Sequence, residues 1–117
     1  NNMDGRNMRI GDFVKDPAQN YIIRVGIDEM RFPELFEGIA LTKGFFLKNG
    51  YQPDYTTGKE VLYRQDDGAT STAEYRGEGK WFVQVRYGSL KFEGLVYTVH
   101  HYQHILSDAL VYWKILV

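Results

Sequence analysis

Residues 80–97 carry the clearest hydrophobic pattern in the chain. Trp81, Val83, Val85 and Tyr87 alternate with Phe82, Gln84 and Arg86, the period of two that a pleated strand imposes. Gly88-Ser89 has the chemistry of a type II′ two-residue turn, so Leu90 to Tyr97 is expected to return as the hairpin partner. From residue 99 the period becomes helical. At about 100° per residue, Val99, Tyr102, Leu106, Ala109, Leu110 and Trp113 gather into one apolar stripe. Thr98 stands where an N-cap belongs. His100 and His104 fall together on the flank of that stripe, with His101 and Asp108 near the outer face.

Two more strands are predicted upstream. Lys59 to Gln65 places Val61 and Tyr63 opposite Leu62 and Arg64, and Asp66-Asp67-Gly68 is a strong hairpin signal. Thr70 to Tyr75 is polar and Thr-rich, as expected of an edge strand or one with a wet face. Arg76-Gly77-Glu78-Gly79 is the next turn. The pattern predicts a four-strand antiparallel meander over about 59–97, then a helix over about 98–110, with 51–58 as a connecting loop. A short helix over about 42–49 precedes that loop. Thr42 caps it, Phe45, Phe46 and Leu47 supply its apolar side, and Asn49-Gly50 stops it. It lacks a capping box, and Gly44 costs it about 1 kcal/mol relative to Ala, so its phenylalanines must dock on a sheet.

The N-terminal third reads as a hairpin of Arg9–Asp16 and Asn20–Ile27, turned by Asp16-Pro17-Ala18-Gln19-Asn20. Alternation puts Ile10, Asp12 and Val14 on one face of its first strand. A third short strand over Glu29–Phe32, ended by Pro33, could form part of a small SH3-like barrel with this hairpin, although three strands do not establish one. Gly94, inside a predicted strand, signals a bulge or close packing.

Composition narrows the function classes. At 117 residues, with 44% hydrophobic and 25% charged residues, the chain fits one globular domain over 1–117, with a loose polar lead over 1–7. Its 9 Tyr, 7 Phe and 2 Trp suit half-buried sheet faces or an interface. The net charge of −1 is evenly spread and argues against nucleic acid, whose binders carry a basic surplus. With no cysteine there is no disulfide, thiol nucleophile or thiolate metal site. No apolar run is long enough for a membrane span and no signal peptide is evident, so a cytoplasmic protein without membrane association is expected.

Three chemistries can be weighed. His100 and His104 at i, i+4 resemble the ligand pair of a zinc helix, with Asp108 one turn on. However, His101 intervenes, no Glu is placed as a base, and no third ligand is signalled. Nucleophilic catalysis has no motif, and Asp66-Asp67 is explained by its turn. A sheet face with Phe82, Gln84 and Arg86, beside Lys91, Arg64 and Tyr75, mixes aromatic and basic groups as single-strand binders do. No cofactor is implied.

Three segments carry a resemblance. Arg9-Ile10-Gly11-Asp12-Phe13-Val14, then Gly38-Ile39-Ala40-Leu41-Thr42 with Leu47-Lys48-Asn49-Gly50-Tyr51, then Tyr97-Thr98-Val99-His100-His101-Tyr102-Gln103-His104 occur in that order. They resemble a group of small uncharacterised proteins encoded in gut-bacterial genomes, often in prophages or other mobile elements. That group has an "LRIGNYV"-like start, a "PLTEEWLLKFGF"-like middle and a "YVHQLQNLYFAL"-like end. Ala40 departs from a Pro, Lys43-Gly44 from two acids, and Tyr102 from a Leu. The resemblance implies an intracellular bacterial or phage setting and the order strand pair, short helix, meander, helix. It brings no activity, substrate or site residues.

The expectation is an α+β domain acting as a non-enzymatic accessory or interaction protein of a phage or mobile element. Its partner would be another protein or, through an unpaired edge or exposed helix, a second copy. The alternatives are a small nucleic-acid-binding domain using Arg64, Tyr75, Phe82, Arg86 and Lys91, and a metal-dependent enzyme centred on His100 and His104.

Overall fold

The alternating strand is the fourth of five in the main sheet of the computed structural model, which describes residues 7–56 and 60–117. The chain runs β1 (Phe13–Asp16), β2 (Tyr21–Arg24), α1 (Lys43–Lys48), β3 (Gln52–Asp54), β4 (Val61–Asp66), β5 (Ala69–Gly77), β6 (Lys80–Tyr87), β7 (Leu90–Val96) and α2 (Val99–Asp108). β1 and β2 form a two-stranded antiparallel sheet, and β3 to β7 an antiparallel meander in sequence order. The fold is α+β, as the pattern predicts. The expected polar lead over residues 1–7 lies, apart from Asn7, outside the described residues. So do the end of the expected 51–58 loop and Lys59.

The turns follow their residues. Asp67-Gly68 and Glu78-Gly79 both carry positive φ at both positions, the type I′ pattern that matches strand twist. Gly88 has φ 59° while Ser89 is not left-handed, as type II′ requires.

One sheet face is covered by the helices. There Trp81, Val83, Val85, Ala73, Leu62 and Val96 pack against Val99, Tyr102, Leu106 and Ala109 of α2 and Phe45 and Phe46 of α1. Phe46 is the hub of an aromatic cluster, with ring centroids 4.8 Å from Trp81, 5.0 Å from Tyr51 and 5.4 Å from Tyr102. This docking holds α1, assisted by the Thr42 hydroxyl accepting from Phe45 N at 3.1 Å. A polar chain runs through this core. The Tyr51 hydroxyl donates to Ser71 Oγ at 2.7 Å and meets the Tyr102 hydroxyl at 2.7 Å. Burial raises both phenol pKa values, that of Tyr51 to about 12, so both stay neutral.

Several expectations need correction. The meander has five strands, because Gln52–Asp54, read as loop, pairs with Val61–Tyr63 as β3. Its Pro53 is tolerated because β3 is an edge strand. β5 is central rather than an edge, although it has one wetter face: Ala69, Ser71 and Ala73 are buried and the residues between them half-exposed. Glu29–Arg31 forms a 3-10 turn, not a third strand, and a second covers Pro33–Leu35. Among the described residues the N-terminal unit is therefore two strands and no SH3-like barrel closes. β1 meets β2 on one side and a single bridge to Glu37 on the other.

Thr98 caps α2 by position only. Its hydroxyl makes no capping bond and is buried without a partner, while the amide of Val99 donates to Ile39 O at 2.8 Å. A passing chain segment thus satisfies one of the free first-turn donors, that of Val99. α2 stops at Asp108, so Leu110 and Trp113 leave the stripe. Leu110 takes φ 60°, with Val111 N bonded to Leu106 O and Leu110 N to Ser107 O, a Schellman closure with leucine where glycine is usual. Residues 114–117 form no strand. Asn49 holds them instead, its amide donating to Leu116 O and its carbonyl accepting from Leu116 N. Gly94 makes no bulge, and its missing Cβ would stand 3.9 Å from Ile105 of α2. Among the described residues no helix is long and apolar enough to cross a membrane.

Candidate functional site

The outward side of α2 carries a polar clamp. Gln103 accepts from Phe13 N at 2.8 Å and donates to Gly11 O at 3.2 Å, and Arg9 donates to Asp108 at 3.0 Å. His104 Nε2 lies 2.8 and 3.0 Å from the two carboxylate oxygens of Asp12, which also accepts from Arg9 N at 2.7 Å. Asp12 is buried just before β1, after a turn at Ile10-Gly11. A carboxylate there needs a donor, and His104 supplies it. The alternation of Ile10, Asp12 and Val14 was the one sequence signal for this pair.

The pair lies in the wall of a cleft of about 540 Å³ that Arg24, Ser107, Tyr112 and Lys114 also line. An imidazole whose Nε2–H is fixed on a carboxylate leaves Nδ1 as the basic nitrogen, as a general base requires. Ser107 is the hydroxyl one turn along α2, yet among the described residues no hydrogen bond joins it to His104. The His104–Asp12 contact thus joins the hairpin to α2.

His100 is buried against Gly38, and its Nδ1 has no partner. Burial, with the adjacent imidazole of His101, lowers its pKa to about 4. Burial also lowers that of His101, with His104 adding to it. The three rings cluster, with centroids 4.2 to 6.1 Å apart. Of the proposed ligands, His104 is turned to Asp12, Asp108 to Arg9, and His100 into the packing. Among the described residues no group of three His, Asp or Glu is arranged to hold a metal ion.

The five residues of the nucleic-acid alternative do not share a face. Cross-strand register places Phe82, Arg86 and Lys91 on the open face, and Arg64 and Tyr75 on the helix-covered one. Arg64 is further committed: it donates to Asn49 O at 2.7 Å, pairs with Asp66 at 3.0 Å and stacks 4.1 Å over Trp113. Tyr75 accepts from Gly79 N, and Phe82 lies under Arg76. Glu74 and Glu93 stand among the open-face cations.

The other distinctive surface is the β7 edge, the last strand of the sheet. The two-residue turn makes Tyr87 and Leu90 a hydrogen-bonded pair, so Leu90, Phe92, Gly94 and Val96 point their backbone groups at β6. Lys91, Glu93 and Leu95 therefore point theirs outward. The parity is confirmed one step on, where Tyr97 O accepts from Leu41 N at 3.0 Å on that same outer side. Among the described residues, backbone pairing on this outer side is confined to the segment around Leu41. Before it, Phe92 and Leu95 are exposed, as is Tyr97 beyond. Comparison with protein-family models, curated proteins and solved structures finds no match for this chain.

Proposed function

We propose that this chain is a non-enzymatic protein-interaction protein, a cytoplasmic accessory of a phage or mobile element, that binds its partner by strand addition at β7. The observation that carries this reading is the β7 edge: outward backbone groups at Lys91, Glu93 and Leu95 flanked by exposed Phe92, Leu95 and Tyr97. Such an edge is a template for another chain, with the backbone supplying affinity and alternate side chains supplying selectivity. The sheet behind it is packed against α2. The setting rests on the resemblance of the three sequence segments. The nucleic-acid reading is weakened by the division of its residues between two faces, and the metal reading by the engagement of His104 with Asp12.

Glu93→Pro is the discriminating variant. It removes an amide that points away from the sheet, so the fold keeps all its ladder bonds while the edge loses a donor. Parallel capture from the native host with wild type and Glu93→Pro should yield a partner lost from the variant, with β7 amides protected in the complex. A partner held equally by both proteins, with protection elsewhere, would refute strand addition.

A further inference from the structure

The partner that the β7 edge fits best is a second copy of the same chain, an inference that rests on reading this edge as the interaction surface. We infer that β7 pairs antiparallel with β7 of a second copy about a two-fold axis at Phe92, joining two five-stranded sheets into one.

Hydrogen-bond parity and face permit that register, and the side chains it opposes select it over its neighbours. With Phe92 opposite Phe92 of the second copy, Lys91 faces Glu93 and Glu93 faces Lys91. These are the residues whose N–H and C=O groups point outward, so each Lys91–Glu93 pair exchanges two backbone bonds and Phe92 falls at a non-bonded position. Edge lysines and glutamates normally discourage strand pairing, but here they oppose their complements. Moving the axis one residue to Glu93 would set Glu93 against Glu93, which is destabilising. Within one copy, Lys91 stands directly opposite Arg86 of β6, a like-charge pair that Glu93 of the second copy would relieve. The Lys91–Glu93 contact inside one chain is loose, 3.9 Å, and both side chains are 43% exposed.

In this register the helix-covered sides of both sheets lie on the same side. Phe92, 38% exposed although on that covered side, meets its symmetry mate as a close cross-strand aromatic pair. Leu90 then faces Gly94, where the absent side chain leaves room. The pairing ends at Ser89 opposite Leu95, before the segment around Leu41 takes over the edge at Tyr97. A closed two-fold contact of this kind uses up the edge and does not propagate into fibres.

The test is sedimentation equilibrium of the full chain over about 1–500 µM, the range expected for an interface at the small end of stable ones. Wild type should shift from monomer to dimer, and Glu93→Pro should weaken association at least tenfold. Lys91→Glu and Glu93→Lys should each weaken it, and the double swap K91E/E93K should restore it to within about threefold of wild type. Both positions are exposed, and urea unfolding of each variant accounts for the intrachain contacts the swaps change, Gln84 Nε2 donating to Glu93 at 2.6 Å among them. A wild type that stays monomeric throughout, or a dimer indifferent to all four variants, overturns self-pairing. A monomer that still captures another chain in a Glu93-dependent way would retain the interaction reading while excluding the second copy. Loss of both would remove the edge from consideration.

Discussion

Acid should destabilise this protein through one buried imidazole. His100 is 3% exposed, packs against Gly38 and Thr98, and has an Nδ1 without a partner. The folded chain keeps it neutral down to about pH 4, chiefly because burial penalises the charged form. The unfolded chain protonates the same ring near the ordinary value of about 6.5. Between those values the unfolded state binds more protons than the folded one, so stability falls as pH drops and is unaffected by this group above about 6.5. The whole gap is equivalent to about 3 kcal/mol. The effective dielectric of a protein interior reduces this, leaving an expected loss of about 2 kcal/mol by about pH 4.5. Urea unfolding of wild type and His100→Leu at matched pH would measure it. The leucine has similar volume and carries no charge, so the variant should match wild type near neutrality and lose about 2 kcal/mol less on acidification. His101 and the His104–Asp12 pair remain in both proteins and largely cancel in the comparison. Parallel stability curves across this range would refute the reasoning.

Other consequences are as direct. Tyr51 is the middle of the Ser71–Tyr51–Tyr102 chain, so Tyr51→Phe should cost about 2–4 kcal/mol by urea unfolding, against about 1 kcal/mol for Tyr102→Phe. Equal costs would mean the hydroxyls do not act as a chain. Leu110 holds φ 60° at an exposed position, so Leu110→Gly should stabilise by about 1 kcal/mol. A loss of stability there would mean leucine packing outweighs strain. A Cβ at Gly38 would stand 2.6 Å from Thr98 Cγ2 and 3.0 Å from His100 Cε1. Gly38→Ala should therefore lower the melting temperature, with a cost of about 1–3 kcal/mol, and an unchanged melt would show that this junction yields.

What was legible in the sequence, and what was not, divides along physical lines. Period-two alternation and turn chemistry fixed β4 to β7 within a residue or two, because Asp67-Gly68, Glu78-Gly79 and Gly88-Ser89 admit few other geometries. The Phe45-Phe46 helix was legible as one that had to dock. β3 was missed because its three residues include Pro53 and no alternation can be read over so short a span. Glu29–Arg31 misled because its strand reading lacked a neighbour to pair with, and local 3-10 bonds won. Leu110 and Trp113 were placed on the helix because their spacing fits, although a left-handed residue ends it first.

The candidate site was less legible still, since the side-chain contacts that join the hairpin to α2 are distant in sequence. Asp12 and His104 are 92 residues apart, and only the oddity of a carboxylate alternating with Ile10 and Val14 hinted at the pair. Arg64 was grouped with the basic and aromatic residues of the nucleic-acid alternative because its contacts with Asn49, Asp66 and Trp113 form only on folding. The open β7 edge depends on strand order, which composition does not encode.

Amide exchange at β7, followed residue by residue against protein concentration, tests the central claim most directly. The account predicts that Lys91 and Glu93, whose amides point outward, exchange fast in dilute solution and slow progressively as concentration rises. Phe92 and Gly94, bonded to β6, should be protected throughout. Fast exchange at Lys91 and Glu93 at every concentration, and in the presence of any bound partner, would contradict it.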